Sequence, residues 1–300
     1  MTGSRRAALN TQPASPIGVF DSGVGGLSVL RAIRQQLPHV PVIFLADQAH
    51  VPYGPRSLEQ VRTFSEAITR YLVNRGCKLI VVACNTASAA ALHFLRQAFP
   101  AVPFVGMEPA VKPAAEHTRT GVVGVLATPA TFQGALYASV VERFAHGVKL
   151  LTHTCPGLVA QIEAGQLDTP QTRLILEEAL RPMLAEGIDT VVLGCTHYPF
   201  VIPLIQDITG PGVRVIDPAP AVARQVGRLL EAHSLLPGGS AGTRARRSGA
   251  GQQPAPVEFL TTGDAASLQS LLPRLLGEEG EAAHLQWKEG ECLYQHEQPT

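Results

Sequence analysis

The chain has no excess of charge of either sign: 24 Lys and Arg stand against 24 Asp and Glu, a formal net charge of zero. A zero balance leaves no electrostatic footprint for nucleic acid at the level of the whole chain. The one local basic cluster, Arg244, Arg246 and Arg247, lies in a Gly/Ser-rich stretch and reads as a solvated loop. No apolar run approaches the length of a membrane span, so no membrane partner is expected. No apolar segment follows Arg5 and Arg6 in the manner of a secretory leader. No Cys-x-x-Cys pair occurs among Cys77, Cys84, Cys155, Cys195 and Cys292. An odd number of widely spaced cysteines points to free thiols and a reducing cytoplasm.

Also missing is a phosphate-binding signature. Asp21-Ser22-Gly23-Val24-Gly25-Gly26 follows a strand and opens a helix, as a nucleotide loop would. However, Ser28 stands where the dinucleotide fingerprint needs a third glycine, no Gly-Lys-Ser/Thr follows, and Asp21 would repel an anion. Asp21 and Ser22 are better suited to hold an amino or hydroxyl group, with the glycines admitting close backbone approach. A plain helix cap at Asp21 is the structural alternative.

What is present is a compact globular composition, 45% apolar and 16% charged over 300 residues, enough for a large core and two domains. Apolar runs of strand length alternate with helical patterns: strands are expected at 17–20, 42–46, 79–83, 103–106, 121–127, 149–153, 190–193, 214–216 and 258–260. Helices are expected at 27–36, 58–75, 87–99, 131–145, 158–164, 169–186 and 219–233, with a helical turn at 203–208. The alternation predicts an α/β protein of two similar domains with mostly parallel sheets and the active site in the cleft between them. Residues 1–110 plus 218–300 form the first domain on this reading and 111–217 the second. Residues 1–15 read as a loose tail and 237–256 as a flexible insertion. The segment after Gly277 is not placed.

Cys84 and Cys195 stand in matching settings. Each ends an apolar run, Leu79-Ile80-Val81-Val82-Ala83 and Thr190-Val191-Val192-Leu193-Gly194, and each is followed at once by hydrogen-bonding side chains. The ends of buried strands are where open α/β sheets keep ligand sites. Two thiols on opposite walls of a cleft suit removal of a proton from one face of a carbon and delivery to the other. Asp21 is placed to assist Cys84, and His197 to assist Cys195. Cys77 and Cys292 read as small core residues. Rival readings are zinc at Cys195-Thr196-His197 with His153-Thr154-Cys155, and a cysteine-nucleophile hydrolase. The first has no Cys-x-x-Cys, and the second leaves one thiol unexplained. No metal site and no cofactor are expected. Pro52-Tyr53-Gly54-Pro55 is a turn with an aromatic at its tip.

Asp21-Ser22-Gly23-Val24-Gly25-Gly26-Leu27-Ser28-Val29, Pro52-Tyr53-Gly54, Cys84-Asn85-Thr86-Ala87-Ser88 and Gly194-Cys195-Thr196-His197-Tyr198-Pro199 occur here in the order found in glutamate racemases. The resemblance spans Ile17 to Asp217 and resumes at Glu258-Phe259-Leu260-Thr261-Thr262-Gly263-Asp264. It implies a cofactor-independent enzyme of the aspartate/glutamate racemase superfamily that interconverts L- and D-glutamate, the latter for peptidoglycan. It implies acid/base roles for Cys84 (toward D-glutamate) and Cys195 (toward L-glutamate), assisted by Asp21 and His197, with Glu163 near the second thiol. Asp21, Ser22, Tyr53, Gly54, Asn85, Thr86, Thr196 and His197 would line the substrate, with Thr128 and Thr131 meeting its carboxylate. A homodimer is the family's common assembly. Without the resemblance, any small acidic amino acid fits, aspartate included, and so does a non-catalytic amino-acid-binding module. Flanking one α-carbon at reacting distance would put the two sulfurs about 7 Å apart.

Overall fold

The computed structural model describes residues 15–236, 254–288 and 292–294. Residues 1–14 of the expected loose tail (1–15), the Arg244–Arg247 cluster and residues 237–253 of the expected insertion lie outside them.

The first sheet is built from β1 (Ile17–Asp21), α1 (Leu27–Gln36), β2 (Val42–Ala46), α2 (Leu58–Asn74), β3 (Ile80–Val82), α3 (Asn85–Ala98) and β4 (Phe104–Gly106). After α4 (Val111–His117) the chain begins a second sheet. That sheet comprises β5 (Val122–Ala127), α5 (Pro129–Gln133), α6 (Ala135–Phe144), β6 (Lys149–His153), α7 (Leu158–Glu163), α8 (Pro170–Ala185), β7 (Thr190–Gly194), α9 (Ile202–Thr209) and β8 (Arg214–Ile216). The chain then returns through α10 (Ala219–Ala232) to β9 (Val257–Thr261), α11 (Ala265–Leu275) and β10 (Ala282–His284). A final antiparallel pair, β11 (Gln286–Lys288) and β12 (Cys292–Tyr294), occupies the stretch the sequence left unplaced.

The six-stranded sheet has the order β10-β9-β2-β1-β3-β4 and the four-stranded sheet β6-β5-β7-β8. Every pairing within both is parallel. Helices cover the faces, so β1, β2, β3 and β7 are buried along their whole length. That double burial is why they read as unbroken apolar runs instead of alternating ones. The two sheets are not copies of each other: β9 and β10 extend the first on the far side of β2.

Helices α4 and α11 were not among those expected from the sequence, and two further stretches differ from the expectation. The stretch expected as one helix over 131–145 is divided at Gly134, which is extended (φ −70°, ψ 138°). A β-carbon at Gly134 would lie 2.7 Å from Ala89 Cβ, so the break lets the chain pass close over α3. The expected turn at 203–208 is a full helix, α9, begun by Pro203 in its first turn, where a missing N–H costs nothing. Among the described residues no helix is long and apolar enough to cross a membrane.

Candidate active site

The site is assembled at the carboxyl ends of β1, β3, β5 and β7, which deliver Asp21, Cys84, Thr128 and Cys195 to one region. Ser22, Tyr53, Gly54, Cys84, Asn85, Thr86, Thr128, Cys195, Thr196 and His197 line one small cavity. Pro52 and Val159 complete its wall. Asp21, Glu163 and Thr131 stand behind that wall, each hydrogen-bonded to a lining residue.

Cys84 is the N-cap of α3, which begins two residues earlier than the apolar pattern suggests. Its sulfur accepts the Ala87 N–H at 3.4 Å, so one orphan amide of the helix start is spent on the thiol. The thiol can donate to Ser22 Oγ at 3.8 Å, and Ser22 Oγ in turn donates to Asp21 Oδ1 at 3.3 Å. Asp21 therefore reaches Cys84 through Ser22. Burial and the neighbouring Asp21 carboxylate push the Cys84 thiol up, which favours its neutral form. Burial also raises Asp21, against the opposing pull of the His197 charge, the Gly23 N–H and the Thr196 hydroxyl.

On the other wall, Cys195 Sγ lies 3.7 Å from His197 Nδ1, and His197 Nε2 lies 2.5 Å from Glu163 Oε1. Burial alone would depress His197, but its hydrogen bonds to Cys195 and Glu163 hold it well above the ordinary imidazole range. Glu163 is raised by burial, yet donation from His197, Gln48 and Val24 brings it below the usual carboxylate range. The opposed shifts fit a charge-assisted hydrogen bond between the His197 ring and Glu163, with Nδ1 turned to the Cys195 sulfur.

The glycine-rich turn is a bearing surface for this pair. Val24 N–H donates to Glu163 Oε1 at 2.8 Å. A β-carbon at Gly23 would lie 2.0 Å from Glu163 Oε1, and one at Gly25 would lie 2.4 Å from His197 Nδ1. No L side chain fits between the turn and the pair, which explains the glycines without a phosphate.

Polar groups reserved for a ligand are visible too. Asn85 is 3% exposed, lines the cavity, and has no partner at either Oδ1 or Nδ2. A buried amide left unmatched inside a cavity is a group waiting for one. Thr86 Oγ1 and Thr128 Oγ1 are 2.8 Å apart, and Thr128 Oγ1 and Thr131 Oγ1 2.9 Å, a hydroxyl chain joining the starts of α3 and α5.

Tyr53 is 1% exposed, not a surface tip, and its hydroxyl donates to Asp47 Oδ2 at 2.6 Å. Burial and Asp47 keep it a neutral phenol. Asp47, Gln48 and Trp287, which hold this side of the site, carry no local sequence signal; Gln48 reaches Glu163 and Trp287 reaches Asp47 across contacts distant in the chain. Cys77 is buried in the core and pushed up to about 12 by that burial.

A model of the family described as Asp/Glu/Hydantoin racemase matches residues 17–226. The chain belongs to this family. It is 50% identical over 270 residues to the glutamate racemase of Ectopseudomonas mendocina (strain ymp), covering 90% of this chain and 98% of that one. Among solved structures, the Escherichia coli glutamate racemase in complex with L-glutamate and activator UDP-MurNAc-ala superposes with a TM-score of 0.73 at 33% identity, covering 88% of this chain and 96% of that chain. The Francisella tularensis enzyme (subsp. tularensis SCHU S4) in complex with D-glutamate gives 0.73 at 28% identity, covering 90% and 96%. The chain thus shares with these structures an α/β fold, here built on two parallel sheets.

Proposed function

We infer that this protein is a glutamate racemase, an isomerase that inverts the α-carbon of glutamate with two cysteines and no cofactor, and so provides D-glutamate for peptidoglycan. The observation that carries the reading is the presence of Cys84 and Cys195 on one small cavity, each backed by its own acid/base partner. Relatives of this length and similarity carry the name, and two of them hold L- and D-glutamate respectively.

The chemistry requires one cysteine as thiolate and the other as thiol. The thiolate takes the α-proton while the thiol delivers its own to the opposite face, and the roles reverse with substrate hand. The intermediate carbanion needs its carboxylate charge held in a site closed to water. Asn85, the Thr86–Thr128 pair and Thr196 supply polar groups at the cavity wall for the substrate's carboxylates and ammonium. Asp21 acts on Cys84 through Ser22, and Glu163 acts on Cys195 through His197. On this reading Tyr53 and Gly54 bound the substrate from the β2–α2 loop, and Thr131 orients Thr128. The cleft separates a unit of residues 1–110 with 218–300 from a unit of residues 111–217, in line with the membership of the two sheets. A cytoplasmic homodimer completes the proposal, to be checked by sedimentation.

The test is polarimetry of each glutamate enantiomer with purified protein and no added cofactor, run beside aspartate. Racemisation of glutamate from both sides, with aspartate far slower, is the expected result. In D₂O, deuterium should enter mainly the product isomer; equal early labelling of the substrate would instead mean one mobile base.

A further inference from the structure

The geometry points to Gln48 and Thr261 as positioning residues for the proton-transfer chain of Cys195, through a hydrogen-bond relay that begins at the end of β9. Gln48 Nε2 donates to Glu163 Oε2 at 3.0 Å. Its other amide atom, Oε1, accepts from Thr261 Oγ1 at 2.7 Å. Thr261 Oγ1 is itself the acceptor for Gly263 N–H at 2.9 Å. Since the Glu163 carboxylate can only accept, the Gln48 NH₂ faces it and Oε1 is left to accept the Thr261 hydroxyl hydrogen. The amide of Gln48 is thereby fixed with its NH₂ toward Glu163.

The polarity continues to the thiol. Glu163 receives Gln48 on Oε2, and Val24 N–H with His197 Nε2 on Oε1. A carboxylate with three donors remains an anion, and an anion there assigns the Nε2 proton of His197. The remaining nitrogen, Nδ1, faces Cys195 Sγ. Packing holds the relay's first link in place: a β-carbon at Gly263 would lie 2.7 Å from Gln48 Cβ. Gln48 follows β2 and Thr261 ends β9, both in the six-stranded sheet, whereas Glu163 and His197 belong to the other half. The relay therefore orients the second thiol's partners only when the two halves are closed on each other.

Titratable groups facing Glu163 are His197, hydrogen-bonded to it, and Asp21, which acts on it through space. Arg274 approaches from α11, donating to Gly165 O and pairing with Asp168.

The role rests on the racemase reading, and two readouts keep their failures apart. The first is the pH profile of kcat/KM; the second is the titration of the Glu163 side chain by ¹³C-carboxyl NMR, assigned by its loss in Glu163→Gln. Gln48→Met keeps the length and removes the donor, so the Glu163 midpoint rises by about one pH unit, and the acid limb of kcat/KM moves up with it. Gln48→Glu sets a second carboxylate against the first and raises the midpoint further. Thr261→Val, which frees the amide to flip, gives a smaller rise in the same direction. It decides the matter should Gln48→Met not fold by melting temperature and near-UV dichroism. Folded variants with the wild-type Glu163 midpoint would overturn the relay. Wild-type protein without racemisation would overturn the functional reading, while the NMR midpoint still judges the relay.

Discussion

Thr196 and Asp21 stand 175 positions apart in the chain, yet Thr196 Oγ1 donates to Asp21 Oδ2 at 2.9 Å. Ser28 Oγ also donates to Thr196 O at 2.8 Å, so the residue after one cysteine is tied to the β1–α1 segment serving the other. The assistance is reciprocal: the first half of the chain also holds Glu163 through Val24 and Gln48. Each thiol's partner group is oriented by the opposite half, which couples closure of the cleft to readiness for proton transfer.

Replacement of either thiol removes one of the two proton carriers. Cys84→Ala and Cys195→Ala are each expected to lower racemisation by about 10³-fold or more, with melting temperatures close to the parent. Circular dichroism at a wavelength sensitive to glutamate configuration checks it. Full activity in either variant would remove the two-base scheme.

Asp21 has a function–stability conflict. Its folded-state pKa is raised by burial above the unfolded value of about 3.9. Such a group contributes stability below the unfolded pKa and loses it as pH rises through the folded pKa. At neutral pH the ionised carboxylate is thus a cost to the fold. Asp21→Asn is expected to melt higher than wild type at pH 7, with a gap that closes toward pH 3, and to racemise more slowly. A gap independent of pH would contradict this.

Gly25 leaves room for the imidazole and for Thr196: an added β-carbon would lie 2.4 Å from His197 Nδ1 and 2.6 Å from Thr196 Oγ1. Gly25→Ala should therefore displace His197 and lower kcat/KM by about 10²-fold, a typical cost for an ångström-scale misplacement. The ¹⁵N imidazole resonances of His197 should move in the same variant. Unchanged kinetics would show that the turn yields instead.

Asp47 gathers Tyr53 OH at 2.6 Å, Thr262 Oγ1 at 2.7 Å, Trp287 Nε1 at 2.8 Å and His50 Nδ1 at 2.9 Å. Asp47→Ala leaves these donors unmatched and should cost about 2–4 kcal/mol of stability, measured by urea unfolding. Trp287 is the sole tryptophan of the chain, so its emission reports the loss directly as a red shift. An unshifted spectrum with parental stability would refute this account of Asp47.

Much of the architecture was legible from residue order, because the periodicities that mark it are local. Val42–Ala46 and Thr190–Gly194 are short apolar runs whose burial on a parallel sheet needs no distant information. The break at Gly134 was not legible: it follows from the close passage over Ala89, which belongs to another helix. β10 and β11 follow Gly277 without any strong pattern, since edge strands of three residues carry too few side chains to show one.

Within the site, the residue order alone placed two thiols after matched apolar strands and set polar neighbours directly beside them, since those relations span only a few residues. Only the folded chain decided which groups serve which thiol. Ser22 stands between Asp21 and Cys84, Glu163 meets His197, and Gln48, Asp47, Thr261 and Trp287 join the site across separations of up to 240 residues. Hydrogen bonds of that range depend on where sheets and loops meet in space, and no local periodicity encodes them.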